Sequence, residues 1–242
     1  MKVSVIIPAY NEEKYLPSCL EALQKQQEPA DEIIVVDNNS TDKTANIARE
    51  FDVILVREKK QGMIPARNLG FNTAKFDILA RIDADTIVPS SWVKRIKEDF
   101  SNNKIVGLTG PCYFYDFSKF LFINKLAGKI QYVVYFKLLQ KIIGYNLLWG
   151  SNMAISKHIW DLIKNEVCMD DKQVHEDIDL SIHIAKYGMI KLDPKLYASV
   201  SLRRIKYLSS LGDYLIFKLI RTIKHGIKLR NYKYVNGLGH TR

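Results

Sequence analysis

The stretch Phe76-Asp77-Ile78-Leu79-Ala80-Arg81-Ile82-Asp83-Ala84-Asp85 joins an apolar run to two carboxylates separated by a single alanine. The run has the length and composition of a buried strand. Two acids at the end of such a strand can bind a hard divalent cation, and that cation can neutralise a diphosphate. The same acids suit a turn before a helix that begins near Ser90, because Asp is common at both places. Taken alone, the stretch favours neither interpretation.

Apolar runs alternate with helical patterns on the N-terminal side of this stretch. The patterns predict a strand at 3–7, a helix at 13–25, a strand at 33–36, a helix at 44–50, a strand at 53–56, a helix at 64–72 and the strand ending at Asp83. Strict alternation implies right-handed crossovers and a mainly parallel sheet covered on both faces. Ligands of such sheets bind beyond the carboxyl ends of the strands. The polar segments 8–12, 37–42 and 83–85 are therefore expected to meet at one edge.

The second half of the chain is less regular, with strands predicted at 105–109, 153–155, 189–192 and 198–200. The segment 117–148 is long and apolar, with five lysines and no acid. Its lysines interrupt every window that could span a bilayer as a helix of ~20 apolar residues. The segment is interpreted as an amphipathic helix or helix pair at an interface or against the core.

The composition is that of an ordinary folded protein. The chain has 242 residues, of which 47% are hydrophobic and 26% charged, so one domain, or one domain with an appendage, is expected. Its three cysteines are widely spaced, with no CxxC or paired histidine, which favours neither disulfides nor a zinc site. A reducing cytoplasm fits best, and no targeting segment is expected.

The net charge of +10 is concentrated at one end, since residues 203–242 hold ten Lys or Arg against one acid. A near-neutral body with a basic tail argues against a nucleic-acid-binding protein. Apolar residues recur at helical spacing through 205–229. A basic amphipathic helix of this kind suits an anionic membrane surface. Docking on the body of the protein or on a second subunit is the alternative.

The segments that follow the first two strands contain side chains suited to a nucleoside. Tyr10, Asn11 and Glu12 supply a ring, an amide and a carboxylate at the exit of the first strand. Asp37 follows the second strand and could accept a hydrogen bond from a base or a ribose hydroxyl. Both segments also suit ordinary polar loops before a helix.

Two further segments carry weaker signals. Gly62-Met63-Ile64-Pro65-Ala66-Arg67 is typical of a loop that enters a helix, where Arg67 could pair with phosphate oxygens or lie solvated on an exposed face. Trp149-Gly150-Ser151-Asn152 is small and polar behind an aromatic residue, as expected for a loop that contacts an acceptor, or for an ordinary turn.

His175-Glu176-Asp177-Ile178-Asp179 begins an amphipathic pattern that ends at Lys186-Tyr187-Gly188. Acids in a first helical turn are favoured by the helix dipole. Three acids behind a histidine exceed what capping requires. One of these carboxylates is therefore predicted to project into the cleft as a general base.

These segments, taken together in this order, resemble family 2 glycosyltransferases over residues 1–205, which leaves 206–242 as a basic C-terminal extension. The resemblance implies a GT-A fold, a Rossmann-like and mainly parallel α/β sheet covered by helices. It implies a nucleotide-diphospho-sugar donor, expected to be UDP-linked, a divalent cation (Mn or Mg), and inversion at the anomeric carbon. A single in-line displacement needs no enzyme nucleophile, which agrees with the absence of a Ser-His or Cys-His signature.

The resemblance also implies roles for individual residues. Those expected at the donor nucleotide are Pro8, Tyr10, Glu12, Asp37, Arg67 and Asp83. The metal is expected at Asp85, its principal ligand, and Asp83. Asp177 would remove the proton from the acceptor hydroxyl, and Glu176 would support it. The residues expected to face the acceptor are Trp149, Gly150, Ser151 and Asn152.

One departure from the family pattern concerns the metal. Several relatives place a histidine on a late strand as a further ligand, and residues 198–204 contain none. The remaining alternatives are Ser201 or a water molecule as ligand, or diphosphate binding by Arg203 and Arg204.

The expected process is cell-envelope polysaccharide or glycolipid synthesis on an acceptor that could be lipid-linked. The basic tail, with the segment 117–148, would bring the enzyme to the inner face of the cell membrane, and a homo-oligomer is possible. Transfer to a polyprenyl phosphate is the alternative within the enzyme class. A non-enzymatic membrane- or polyanion-binding protein would leave the acids unused. A dinucleotide-dependent oxidoreductase is disfavoured because GxGxxG is missing after the first strand.

Overall fold

The computed structural model describes residues 1–115, 140–141, 144–169, 174–201 and 203. The N-terminal half contains β1 (Val3–Ala9), α1 (Leu16–Gln24), β2 (Glu32–Asp37), α2 (Thr44–Arg49), β3 (Ile54–Arg57), α3 (Met63–Thr73), β4 (Ile78–Arg81) and α4 (Trp92–Phe100). The described second half contains β5 (Ile105–Thr109), β6 (Cys112–Phe114), β7 (Met153–Ser156), α5 (Lys157–Ile163), α6 (Glu176–Ile184), β8 (Met189–Leu192) and β9 (Ala198–Val200). Most of the predicted amphipathic segment 117–148 and all of the extension 206–242 lie outside the described residues.

Seven of these strands form one sheet in the order β3-β2-β1-β4-β7-β5-β8, with helices on both faces. Its pairings are parallel except where β7 runs antiparallel to β4 and β5. The predicted alternation of strands and helices up to β4 is confirmed, and the fold is the mainly parallel α/β arrangement covered by helices that the resemblance implies. The short strand β6 and the helix α5 had not been predicted.

The strand β1 explains why the sheet is covered on both faces. Its seven residues are all buried, and successive side chains point to opposite sides. Val5 and Ile7 belong to the core beneath α1 and α4, whereas Ile6 belongs to the core that contains Phe71 and Trp160. A near-continuous apolar run is what a central parallel strand with two covered faces requires.

The strand register brings the polar segments together. Ala9 at the end of β1 pairs with Asp37 at the end of β2, and Ile6 pairs with Arg81 at the end of β4. The residues that follow these strands therefore emerge side by side, as predicted for the carboxyl edge. Helix α3 packs closely behind this edge, since a Cβ at Gly70 would lie 2.4 Å from Ile6 Cγ2.

A second, two-stranded sheet positions the late part of the chain. The strands β6 and β9 pair in parallel, with Cys112 opposite Ala198. Ser199 and Ile87 exchange two backbone hydrogen bonds of 2.8 and 2.9 Å. The segment after β9 is thereby held against the loop after β4, which carries Asp83 and Asp85. None of the helices within the described ranges has both the length and the apolarity needed to cross a bilayer.

Candidate active site

The loops after β1 and β2 are interlocked by hydrogen bonds. The Asn11 amide N–H donates to Ser40 Oγ (3.0 Å), and the Thr41 amide N–H donates to Asn11 Oδ1 (2.8 Å). The Glu12 amide N–H donates to Thr44 Oγ1 (2.7 Å). Asn11 adopts a left-handed backbone (φ 54°), which Asn tolerates better than most residues. These contacts fix the two loops relative to each other.

A cavity of about 620 Å³ opens beside these loops. Its lining includes Pro8, Tyr10, Glu12, Asn38, Met63 and Arg203. Tyr10 is 46% exposed, so its ring is available to a planar ligand. The size and the mixture of one exposed ring with polar groups suit a nucleoside.

Asn38 organises one wall of this cavity. In the sequence it is one residue of the polar segment 37–42 and has no predicted role of its own. Its side chain accepts a hydrogen bond from the Gly62 amide N–H (2.8 Å) and donates to the Lys60 carbonyl (2.8 Å). It thereby joins the loop after β2 to the start of α3. Asp37, by contrast, is buried and accepts from the Ser40 amide N–H (3.0 Å), so in the structure it holds its own loop.

The two acids that follow β4 have different partners. Asp83 accepts hydrogen bonds from Arg81 Nη2 (3.0 Å) and from Ser151 Oγ (2.6 Å). Asp85 accepts from Arg203 Nε (3.0 Å). Both side chains are buried. Asp83 is thus joined to the predicted acceptor loop, and Asp85 to the segment after β9.

The donor set at this edge suits a divalent cation that is shared with a ligand. Within the described ranges, no group of three or more His, Cys, Asp or Glu is arranged around a metal position. Carboxylates are hard ligands, and Mg²⁺ is commonly bound by one or two of them together with water and substrate phosphates. In the structure the negative charge of Asp85 is paired with the cationic side chain of Arg203. Asp85 and Asp83 therefore fit a Mn or Mg ion completed by phosphate oxygens.

Glu176, the first residue of α6, is clamped by two arginines. Arg67 Nη1 donates to Glu176 Oε2 (2.6 Å), and Arg81 Nη1 donates to Glu176 Oε1. Burial by itself would raise the pKa of Glu176, but the positive charges of Arg81 and Arg67 outweigh it and hold the pKa below its usual value. Glu176 is therefore an ionised residue that fixes the start of the helix.

Arg67 is fully buried in this cluster. Its Nε and Nη2 donate to Asn68 Oδ1 (3.0 and 2.9 Å), while Nη1 contacts Glu176. Its burial rules out the solvated position on an exposed face that the sequence also allowed. No role is predicted for Arg81 from the sequence. Its position as a charged residue within an apolar run that forms a buried strand is the feature that could have identified it.

Asp177 lies next to the clamp and faces the predicted acceptor loop. Its Oδ2 accepts from the Gly150 amide N–H (3.4 Å), and its Oδ1 accepts from the Ile178 amide N–H (2.9 Å). Burial and, after it, the negative charge of Glu176 raise the pKa of Asp177 to about 6. A carboxylate with this pKa is largely ionised at neutral pH yet more basic than an ordinary aspartate, as a general base requires.

The residues of the predicted acceptor loop have different surroundings in the structure. Gly150 lies against Arg81, since a Cβ there would lie 2.8 Å from Arg81 Nη1. Ser151 contacts Asp83. Asn152 is fully buried, where its Oδ1 accepts from Trp92 Nε1 (2.9 Å) and its Nδ2 donates to the Leu196 carbonyl (2.7 Å). Asn152 therefore anchors the loop from within the core, and Trp149, partly buried against the same core, precedes it.

The sequence model of the family described as glycosyl transferase family 2 matches residues 4–157. The glycosyltransferase AglE of Haloferax volcanii is 41% identical over 101 residues, which span 38% of this chain and 33% of that protein. The poly-beta-1,6-N-acetyl-D-glucosamine synthase of Staphylococcus epidermidis is 29% identical over 206 residues, 80% of this chain and 48% of that protein. The chain thus spans less than half the length of these two relatives.

Among solved structures, the mannosyltransferase PcManGT of Pyrobaculum calidifontis in complex with GDP-Man and Mn²⁺ superposes with a TM-score of 0.72. The match covers 94% of this chain and 64% of that one, at 17% sequence identity. At this level of identity the likeness shows the fold.

Proposed function

Because this chain belongs to glycosyl transferase family 2, we propose that it transfers a sugar from a UDP-linked nucleotide-diphospho-sugar to an acceptor hydroxyl with inversion. The cavity beside β1 and β2 is the proposed nucleoside site, with Tyr10 against the base. The acids after β4 lie at the proposed diphosphate end, and Asp177 at the acceptor end.

The observation that carries this proposal is the placement of Asp177. Its carboxylate lies beside Gly150 of the acceptor loop, and its pKa is raised to about 6. In the proposed reaction the acceptor oxygen attacks the anomeric carbon as the bond from that carbon to the diphosphate oxygen breaks. The hydroxyl proton passes to Asp177. No covalent intermediate on the protein is needed, so a single displacement inverts the anomeric configuration.

Arg81 connects the donor side of the proposed site to its acceptor side. It contacts Asp83 on the donor side, and Glu176, next to Asp177, on the acceptor side. Ser151 adds a second connection, since it belongs to the acceptor loop and donates to Asp83. Side chains locked in this way hold reactive groups at fixed separation, which is a major source of catalytic rate.

The proposed cofactor is a Mn or Mg ion bound by Asp85 and Asp83. When bound, it would neutralise the charge that develops on the diphosphate leaving group. The structural relative with GDP-Man and Mn²⁺ supports a divalent cation of this kind, although its donor carries guanosine where we propose uridine.

The donor can be identified by its effect on thermal stability. The full chain would be heated with UDP, GDP, UDP-sugars and GDP-mannose, each with and without MnCl₂. A donor present at 100 times its Kd stabilises the folded protein by about 2.7 kcal/mol through mass action. A rise in Tm with a UDP-sugar plus Mn²⁺, followed by nucleotide release in the presence of an acceptor, is expected. A protein that is stabilised by no nucleotide, but binds anionic vesicles, would instead be a non-enzymatic binding protein.

For the acceptor, we propose a lipid-linked or cell-envelope precursor reached from the inner face of the cell membrane. The support is the basic sequence of 203–242 and the synthase relative, which by its name makes the polysaccharide poly-beta-1,6-N-acetyl-D-glucosamine. Flotation with anionic vesicles at low salt tests the location. Absence of the protein from the floating fraction would remove membrane contact from the proposal and leave the transferase function standing.

A further inference from the structure

The guanidinium of Arg203 lies in the proposed donor site, and Arg203 belongs to the stretch 198–204, where the family pattern has a histidine that this chain lacks. Its Nε donates to Asp85 Oδ2 (3.0 Å), and its Nη2 donates to Glu12 Oε1. The guanidinium carbon lies 4.2 Å from the centre of the Tyr15 ring. Arg203 also lines the cavity next to Pro8 and Tyr10. The side chain is thus held by two acids and one ring at the wall of the donor cavity.

The carboxylate that Arg203 contacts is the one proposed as the principal metal ligand. Asp85 and Glu12 are buried acids, and the guanidinium of Arg203 partly neutralises both. A divalent cation on Asp85 would place two further positive charges beside Arg203. Without an additional anion, the cation and the arginine therefore compete for the same carboxylate.

A diphosphate removes this conflict. Its oxygens supply negative charge for both the cation and the guanidinium, and a guanidinium binds phosphate oxygens through two parallel hydrogen bonds. Arg203 lines the cavity and 27% of its side chain is exposed, so its guanidinium can reach a ligand bound there.

We propose that Arg203 competes with the divalent cation for Asp85 when no nucleotide is bound, and that it pairs with the donor diphosphate once it is displaced. Metal and nucleotide then bind with positive coupling, and the metal binds weakly in the absence of nucleotide. The inference rests on the proposed donor site. Because coupling between two ligands is reciprocal, removing Arg203 must change both affinities.

The test measures Mn²⁺ binding to the full chain from the loss of the EPR signal of aqueous Mn²⁺. MnCl₂ is titrated alone and with saturating UDP or GDP, and nucleotide binding is measured separately in EDTA. The variants are R203Q, R203K and D85N. Arg49→Gln is the matched control, because Arg49 is exposed, contacts Asn46 on α2, and carries the same charge. Circular-dichroism melting establishes that each variant is folded.

R203Q is expected to bind Mn²⁺ alone about tenfold more tightly than the wild type and the control, within the usual range of coupling between sites. It is also expected to bind nucleotide in EDTA about tenfold more weakly, because a charge-assisted pair is lost. R203K should keep Mn²⁺ affinity near the wild-type value but lose nucleotide affinity. Lysine retains the positive charge but cannot form the two parallel hydrogen bonds of a guanidinium.

Equal Mn²⁺ affinity of wild type and R203Q, with nucleotide still raising both, would overturn the role of Arg203 and leave the metal site intact. If wild type, R203Q and D85N all failed to bind Mn²⁺ in the presence of UDP or GDP, the proposed metal site would fall, and the competition with it.

Discussion

Arg81 and Glu176 form an ion pair between the end of a central strand and the first residue of helix α6, 95 positions apart in the sequence. Arg81 is fully buried and also contacts Asp83, so one side chain joins the proposed metal-binding acids to the helix that carries the proposed base. Glu176, predicted from the sequence to support Asp177, is the counter-charge of two buried arginines.

Replacing Glu176 with Gln should destabilise the protein by about 3–5 kcal/mol, because Arg67 and Arg81 would lose their shared counter-charge in the interior. Urea unfolding measures the change. Glu50→Gln, at an exposed position after α2, should stay within about 0.5 kcal/mol of the wild type. Equal stability of the two variants would show that the cluster contributes little.

Asp177→Asn should lower kcat by about 10²- to 10⁴-fold, the usual contribution of a positioned general base. The expected mechanism requires KM for the donor to change little, because Asp177 lies at the acceptor loop. Initial rates at varied donor and acceptor concentration make the measurement. Near-wild-type kcat would instead favour a polyprenyl phosphate acceptor, which is already ionised and needs no base.

The same substitution should stabilise the protein at neutral pH. The pKa of Asp177 is raised from 3.8 to about 6, which corresponds to roughly 3 kcal/mol of destabilisation above pH 6. Partial solvent exposure and a lost hydrogen bond reduce the expected net gain to about 1–2 kcal/mol. The gain should shrink as the pH falls below 6 and be mostly lost near pH 4, as the pH approaches the unfolded-state pKa of 3.8. Thermal unfolding of both proteins from pH 4 to 8 measures the difference.

The rate of the wild-type enzyme should fall below about pH 6, as protonation of Asp177 removes the base. In any Glu176→Gln protein that remains folded, this acidic limb should move to lower pH, because the negative charge of Glu176 is one cause of the raised pKa. The measurement is kcat/KM against pH under saturating Mn²⁺. An unchanged acidic limb would assign the titration to another group.

Substitution of Asp83 and of Asp85, the two acids after β4, should have different effects. Asp85→Asn should abolish the Mn²⁺-dependent rise in Tm with nucleotide at modest cost in stability. Asp83→Asn should also weaken the contacts with Arg81 and Ser151 and cost about 1–3 kcal/mol. The exposed Asp52→Asn variant controls for the loss of one negative charge. If Asp85→Asn retained the full metal-dependent shift, its role as principal ligand would be wrong.

Gly150→Ala should lower stability by about 1–3 kcal/mol, because the added Cβ would lie 2.8 Å from Arg81 Nη1 and the arginine is held by Glu176 and Asp83. The displacement should also disturb the amide that contacts Asp177, so kcat is expected to fall more than donor affinity. Comparison with Ser151→Ala, which removes one hydrogen bond without adding volume, separates crowding from loss of a contact.

Much of this architecture was predictable from the sequence. The apolar run at β1, the alternation of strands and helices as far as β4, and the acids that follow three strands are local patterns. Parallel strands put their carboxyl ends at one edge, so the sequence alone predicts that Glu12, Asp37 and Asp83 converge. The short β6 and the helix α5 were missed because neither has a long periodic pattern.

The sequence by itself determined the sheet, its functional edge and the identity of the acids at that edge, because strand period and connection handedness are local or topological properties. Only the tertiary structure decided which charged residues form ion pairs with each other. Arg67 and Glu176 are 109 positions apart, and Arg203 and Glu12 are 191 apart. No local spacing encodes such pairs, since a buried charge is stabilised by whichever partner the packing of distant elements brings within hydrogen-bond distance. The same holds for Asn152, which the sequence predicted to face the acceptor. Its side-chain amide lies in the core, where it contacts Trp92 and Leu196.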